Sequence, residues 1–376
     1  MVTGGQIAIF AISMFFLSVL PPLTHFLRCR KRIKHSTPTQ SNFNPEVTVL
    51  LPVRNESQVI IRKLNEITSM DYDSAKLRII IVDSSSDEKT RIAALEFLNS
   101  SRCEIPFEII SMEKPGKSRA INRSLEEIKT DFFIMMDAES QCPSDSISKV
   151  ISRFSDPEIG AVCGSLDISE NDTEFPYRSR YNSIRIGESI IDSTPIFEGS
   201  ICAFRMSSIG SSRINSNINA DDSQMAILVR INGFRAIMDQ EVIFFDKQPF
   251  FRQRSVRRAQ GLSRTLAANW RLSFGLGSYS KIFRQALYFY SIFPWLIAIS
   301  TSLSIVSMFI IISNNPIDGN SFKLFTINLV HLSLLFSNSG RGLIGGSTIL
   351  LESHIRLLMG QKMQIWDPSK RPQTEL

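Results

Sequence analysis

Residues 47–83 read VTVLLPVRNESQVIIRKLNEITSMDYDSAKLRIIIVD, and this stretch decides the fold. It opens with a short β-branched run (47–51) closed by Pro52, continues with helical periodicity over 57–70, and ends in the unbroken apolar run 77–82. A strand covered on one face alternates apolar and polar residues, whereas a continuous run marks a strand buried on both faces. The pattern repeats downstream with a helix near 87–99, a strand at 107–111, a helix at 117–128 and a strand at 132–136. Strand and helix in turn predict an α/β fold, a mostly parallel sheet sandwiched by helices. Open parallel sheets bind ligands beyond the carboxyl ends of their strands. Asp83 and Asp137 each stand immediately after such an end.

Outside this stretch the composition is uneven. Of 376 residues 43% are hydrophobic, and they concentrate in the first thirty or so positions and again after about 285. The run 6–27 is long enough to cross a bilayer. Its positive charges (Arg28, Arg30, Lys31, Arg32, Lys34) follow the apolar run instead of preceding it. That order predicts a signal anchor with the amino terminus outside and the rest of the chain inside, not a cleaved peptide. Residues 35–46 read as a linker. Near the other end, 286–312 can span, a polar loop follows at 313–321, and a second apolar stretch is interrupted at 337–341 before resuming over 342–359. The expected organisation is therefore an anchor with its basic flank (1–34), a catalytic domain (47–270), a membrane region of two or three spans (271–360) and a tail (361–376). The expectation is a multi-pass membrane protein with its 47–270 domain in the cytoplasm.

The formal net charge of +6 admits nucleic acid, an anionic membrane or an anionic substrate. The first basic cluster abuts the anchor, and no nucleic-acid motif accompanies the second (Arg252, Arg254, Arg257, Arg258, Arg264), so no nucleic-acid partner is expected. Five scattered cysteines form no CxxC pair, and the four histidines have no ligand spacing, so neither a disulfide framework nor a zinc site is legible.

Several polar residues have the chemistry for a site, each with a plainer reading beside it. Asp137 and Glu139 put two carboxylates past one strand end, suited to a hard divalent cation whose other ligands are diphosphate oxygens, or to an ordinary solvated loop. Asp83, with Pro52, Arg54, Asn55 and Glu56 after the neighbouring strand, could accept hydrogen bonds from a nucleotide or simply cap a turn. Lys117 begins a helix, where phosphate binds readily. Asp221 and Asp222 open another helix at 222–231, as acids favouring its dipole or as a general base. The arginines of 252–264 fit a lipid surface or a phosphate.

Taken in order, VTVLLPVRNE (47–56), IIIVDSSSD (79–87), KPGKSRAIN (114–122), FIMMDAE (133–139), EGSICAFR (198–205), DDSQMAILVRINGFR (221–235) and RSVRRAQG (254–261) resemble membrane-bound family 2 glycosyltransferases, the group of ceramide glucosyltransferases and polysaccharide synthases. The resemblance implies a GT-A fold. It places Pro52, Asn55, Glu56, Asp83, Lys117 and Asp137 at the donor, with Asp137 and Glu139 holding Mg²⁺ or Mn²⁺ in the place of the family's DxD motif. Gly199, Ser200, Phe204, Arg205, Asp221 and Arg258 would border the acceptor. Asp222 matches the expected catalytic base, and Arg254 and Arg257 would assist the leaving group. The family's (Q/R)xxRW motif departs here, since Arg258 stands where relatives carry tryptophan, which argues against processive synthesis.

The expectation is an inverting hexosyltransferase that uses a UDP- or GDP-linked sugar and a lipid or glycan acceptor among membrane lipids. A processive polysaccharide synthase and a non-catalytic sugar-nucleotide-binding partner protein are its rivals.

Overall fold

The computed structural model describes residues 4–33, 43–100, 103–167, 175–246, 252–313 and 319–363. Most of the expected linker and of the tail lie outside these residues.

Seven strands form one sheet: β1 (Val47–Val53), β2 (Leu77–Asp83), β3 (Phe107–Ser111), β4 (Phe132–Met136), β5 (Ile159–Leu166), β6 (Ile201–Arg205) and β7 (Arg235–Phe244). Their order is β3-β2-β1-β4-β6-β5-β7. β1, β2, β3 and β4 run parallel, while β6 runs antiparallel to both β4 and β5. Side chains alternate across β1. Val47, Val49, Leu51 and Val53 enter one apolar layer, and Leu50 enters the opposite one with Ile80 and Phe133. Both layers are roofed by helices, which is why β1, β2 and β4 read as unbroken apolar runs.

The helices are α1 (Gly4–Ile33), α2 (Ile60–Thr68), α3 (Lys89–Leu98), α4 (Lys117–Ser124), α5 (Ser146–Ser152), α6 (Phe175–Ile191), α7 (Met206–Ile209), α8 (Asp221–Ile231), α9 (Arg252–Ala268), α10 (Gly277–Leu287), α11 (Phe293–Ser313), α12 (Gly319–Phe336) and α13 (Asn338–Leu358). A π-helical turn at Tyr288–Ile292 joins α10 to α11. Among the described residues two helices are long and apolar enough to cross a membrane, Gly4–Ile33 and the continuous Gly277–Ser313. Both carry bands of large exposed apolar side chains, such as Phe10 and Leu17 on the first and Ile305 and Phe309 on the second.

The interruption expected at 337–341 is a tight corner between α12 and α13. Ser337 takes an extended backbone there and accepts a hydrogen bond from the Gly340 amide. Beyond the corner, Leu343 and Ile344 pack against the cluster of Phe15, Phe293 and Leu335. Further along α13, Glu352 pairs with Arg252 of α9. The expected last span is thus a helix divided between an apolar bundle and the sheet domain.

Candidate active site

Parallel register brings the strand ends level: Val53 lies opposite Asp83, and Leu50 opposite Met135. Beyond that edge opens a cleft of about 980 Å³, lined by the turns after β1 and β4, the start of α4, and residues of α6, α8, α9 and α13.

Lys117 holds the centre. Its Nζ donates to Asp137 Oδ1 at 2.8 Å and lies 3.2 Å from Asp221 Oδ2. Burial alone would lower the lysine pKa, but the charges of Asp137 and Asp221 outweigh it and hold the ammonium fully protonated. For Asp137, burial acts to raise the carboxyl, yet the Lys117 charge and hydrogen bond prevail and keep it below its ordinary value. Gly199 passes close by: a Cβ built on it would lie 3.1 Å from Asp222 Oδ2 and 3.5 Å from Lys117 Nζ. Residues from four separate stretches of sequence therefore meet at one point.

Asp222 behaves differently from its neighbours. Burial, then the charge of Asp221, pushes its carboxyl up to about 7. One oxygen accepts the Ser223 amide at 2.7 Å, so the residue does take an orphan amide of the helix start, as the plainer reading required. That contact coexists with a carboxyl poised near neutrality in a cleft, a combination suited to a general base.

Helix α9 closes the cleft on the other side. Arg254, Arg257 and Arg258, spaced i, i+3, i+4, form one face and all line it. Arg254 reaches toward Glu139 (3.6 Å) and Asp246 (3.5 Å). Burial and then repulsion from Arg258 lower the pKa of Arg254 and bring that of Arg257 down to about 10, so a cationic cluster stands ready for an anion. Of the two uses open to this basic helix, three arginines serve the cleft, and Arg252 turns away to Glu352. The helix also fixes the loop before Asp221. Asn219 Nδ2 donates to the Arg257 carbonyl at 3.0 Å, and Arg264 Nη1 to the Asn217 carbonyl at 2.9 Å. At Gly261 a Cβ would stand 2.6 Å from the Asn219 carbonyl oxygen, so only glycine permits this contact.

Not every expected residue reaches the cleft. Pro52, Glu56, Lys117, Asp137, Glu139, Gly199, Ser200, Asp221, Asp222, Arg254, Arg257 and Arg258 line it. Phe204 and Arg205 do not. Because β6 descends antiparallel to β4, Ile201 sits level with Met136 at the cleft edge while Arg205 lies level with Phe132 at the far end. Phe204 is wholly buried against Phe133, and Arg205 binds the carbonyls of Phe154, Asp156 and Ile159. Their role is structural. Asp83 and Asn55 stand on the adjoining turn, where their side chains organise the loop. Asp83 accepts the Ser85 amide, and Asn55, with a left-handed φ of 53°, accepts the Ser86 amide. Their neighbour Ser84 lines the cleft instead.

Sequence reasoning missed Arg185, Tyr181 and Tyr290, which line the cleft with Glu198. Arg185 pairs with Glu198 and stacks over Tyr181. Only Glu198, within the quoted EGSICAFR, carried any signal. The glycines of α13 also went unread.

A mostly parallel sheet with one inverted strand, acids past β4 and a charged cleft at the carboxyl edge define a GT-A, nucleotide-diphospho-sugar type of protein. Residues 48–211 match Glycosyl transferase family 2, and the chain contains a glycosyltransferase domain of that family. An N-acetylglucosaminyltransferase of Rhizobium meliloti (strain 1021) is 30% identical over 135 residues, 36% of this chain and 31% of that protein. A beta-monoglucosyldiacylglycerol synthase of Synechocystis sp. is 27% identical over 122 residues, 31% of this chain and 25% of its own length. The chain thus spans under a third of each of these two relatives. A solved mannosyltransferase from Pyrobaculum calidifontis, in complex with GDP-Man and Mn2+, shares the fold at a TM-score of 0.83 and 22% identity, covering 94% of this chain and 99% of that one. That likeness of fold extends past the family domain to the flanking helices.

Proposed function

We propose that this protein is a membrane-anchored, inverting glycosyltransferase that moves a hexose from a nucleoside-diphosphate sugar to a lipid-linked or glycolipid acceptor. The observation that carries the reading is the convergence on Lys117: Asp137 and Asp221 grip one ammonium, with Asp222 beside it and three arginines opposite. The Pyrobaculum neighbour's GDP-Man and the Synechocystis relative's name support the donor and acceptor classes.

In this mechanism Asp222 removes the proton of the acceptor hydroxyl as its oxygen attacks the anomeric carbon. The bond from that carbon to the diphosphate oxygen breaks, and the configuration inverts. The departing nucleoside diphosphate is met by Arg254, Arg257 and Arg258, in a site where preorganised charge acts most strongly. Pro52, Glu56 and Ser84 form the end of the cleft for the nucleoside, with the turn of Asp83 and Asn55 behind them.

Asp137 and Glu139 would hold Mg²⁺ or Mn²⁺. Among the described residues no cluster of three or more Asp, Glu, His or Cys is arranged to hold an ion. Two carboxylates on one turn fit a cation that takes its remaining oxygens from substrate phosphates. When bound, the ion supplies charge neutralisation to the diphosphate.

Membranes containing the protein, given labelled UDP-, GDP- and dTDP-sugars with Mg²⁺ or Mn²⁺, test the proposal. Expected is transfer from one donor class into a product bearing a single added sugar, abolished by EDTA. Release of nucleoside diphosphate from none of the donors would refute it, and long polymer products would restore the processive rival.

A further inference from the structure

The cleft extends beyond the charged centre. Arg341 lines it at the first turn of α13, and beyond that residue the same helix presents Gly342, Gly345, Gly346, Ile349 and Leu350. These positions follow i, i+3, i+4, i+7 and i+8, one unbroken helical face. The adjacent face of the same helix, Leu343 and Ile344, packs into the apolar bundle with Phe15 and Phe293. A Cβ built on Gly345 would meet nothing within 4 Å among the described residues. At 1.5 Å per residue the face runs about 12 Å, the reach of a hydrocarbon chain of eight to ten carbons.

Tyr181 and Arg185 of α6 line the same cleft. Arg185 is only 9% exposed, its charge is engaged by Glu198, and its Nε makes no hydrogen bond among the described residues. The lining of the cavity is thus mixed: ionic where Lys117, Asp221 and Asp222 meet, amphipathic at Tyr181 and Arg185, and apolar at the five α13 positions beyond Arg341.

Resting on the transferase reading above, we infer that the acceptor is a membrane lipid whose tail lies along the glycine, isoleucine and leucine face of α13 and whose reactive group at Asp222 is a hydroxyl, not a phosphate. The apolar face is continuous with the catalytic cleft and backs onto the helices taken to span the membrane, so a lipid reaches it without leaving an apolar surface. The hydroxyl follows from chemistry. A lipid phosphate, with a second pKa of about 6, is already an anion at neutral pH. It needs no base, and at Asp221 and Asp222 the neighbouring cation, Lys117, is already engaged, while the arginines of α9 are assigned to the donor's diphosphate. A hydroxyl is neutral on approach and must give up its proton to attack, which is the service Asp222 is placed to render.

The test uses the full-length protein in vesicles of total lipid extract from the expressing cells. The photo-crosslinker p-benzoylphenylalanine is placed at Ile349 or, as a control, at Phe309, which is 75% exposed on α11. Labelled sugar nucleotide is supplied in parallel. Expected are a lipid adduct at 349, label in a chloroform-extractable product that survives mild acid, and at least a tenfold loss of that product in Gly345→Phe with affinity for UDP and GDP retained. An adduct at 309 but none at 349 in an active enzyme overturns the inference alone. Label released by mild acid, as from a glycosyl phosphate, overturns the hydroxyl, and label confined to water-soluble product overturns the lipid acceptor. No transfer by the unmodified protein from any donor would sink the transferase reading itself.

Discussion

Asp222 combines two properties that a structural acid at a helix start would not both need. It takes a helix amide through Ser223, and burial beside Asp221 raises its carboxyl to about 7. A base with that pKa is protonated below neutrality, so kcat/KM is expected to rise with pH and level off above about 7. Asp222→Asn should lose at least 10²-fold in kcat, the low end of what general-base catalysis contributes, along with the acidic limb of the profile. The stability effect has the opposite sense. A folded-state pKa raised above its ordinary value means that the folded chain holds the proton more tightly; this contribution is complete below about 4 and is lost as pH rises through about 7. The neutral asparagine avoids that loss, so at pH 8 the variant should melt no lower than the parent. Turnover against pH and thermal unfolding in detergent read both outcomes. A variant that lost activity and melted early would reassign Asp222 as a cap.

Among the elements, α6 joins the anchor to the chemistry. One face sends Tyr181, Asn182 and Arg185 into the cleft, while another lies on α1. At Gly187 the two helices touch so closely that a Cβ would stand 2.4 Å from that of Cys29 and 2.6 Å from its Cα. One turn away, His25 of α1 meets Glu188 at 2.8 Å, and Thr194 donates to the other oxygen of the same carboxylate at 2.7 Å. The opposing atoms at Gly187 include backbone, so they cannot yield as a flexible side chain would. Gly187→Ala should therefore push α6 off α1, costing about 1–3 kcal/mol in stability and lowering turnover by shifting Arg185. Unfolding in detergent and kcat measured together check this. Unchanged values for both would mean that the anchor and the site are mechanically independent.

For the molecule as a whole, the expected arrangement puts the amino terminus outside and the sheet domain in the cytoplasm. The basic residues Arg28, Arg30, Lys31 and Arg32 crowd the end of α1 nearest that domain, as the positive-inside rule requires of a cytoplasmic flank. Cys103, partly exposed on the sheet domain, serves as a native reporter. In intact cells an epitope tag fused to Met1 should be reached by an impermeant antibody, and Cys103 should be protected from an impermeant maleimide until the membrane is opened. Labelling of Cys103 from outside would invert the topology.

The order of strands and helices through β4 was legible in the sequence because each buried strand is a local apolar run and each helix carries its own periodicity. The carboxyl-edge position of Asp137 and the helix-start position of Asp222 followed from the same local rules. What those rules could not give was direction across the sheet. EGSICAFR reads alike whichever way β6 runs, and its antiparallel course carried Gly199 and Ser200 to the cleft and took Phe204 and Arg205 away. Partnership was equally hidden. Lys117 and Asp221 lie 104 positions apart, and Arg185 finds Glu198 only because α6 and the segment before β6 face one another. The identities of elements are written locally because backbone hydrogen bonding and burial act over a few residues. The site was decided by packing, which alone determines which distant charges share one volume from which water is partly excluded.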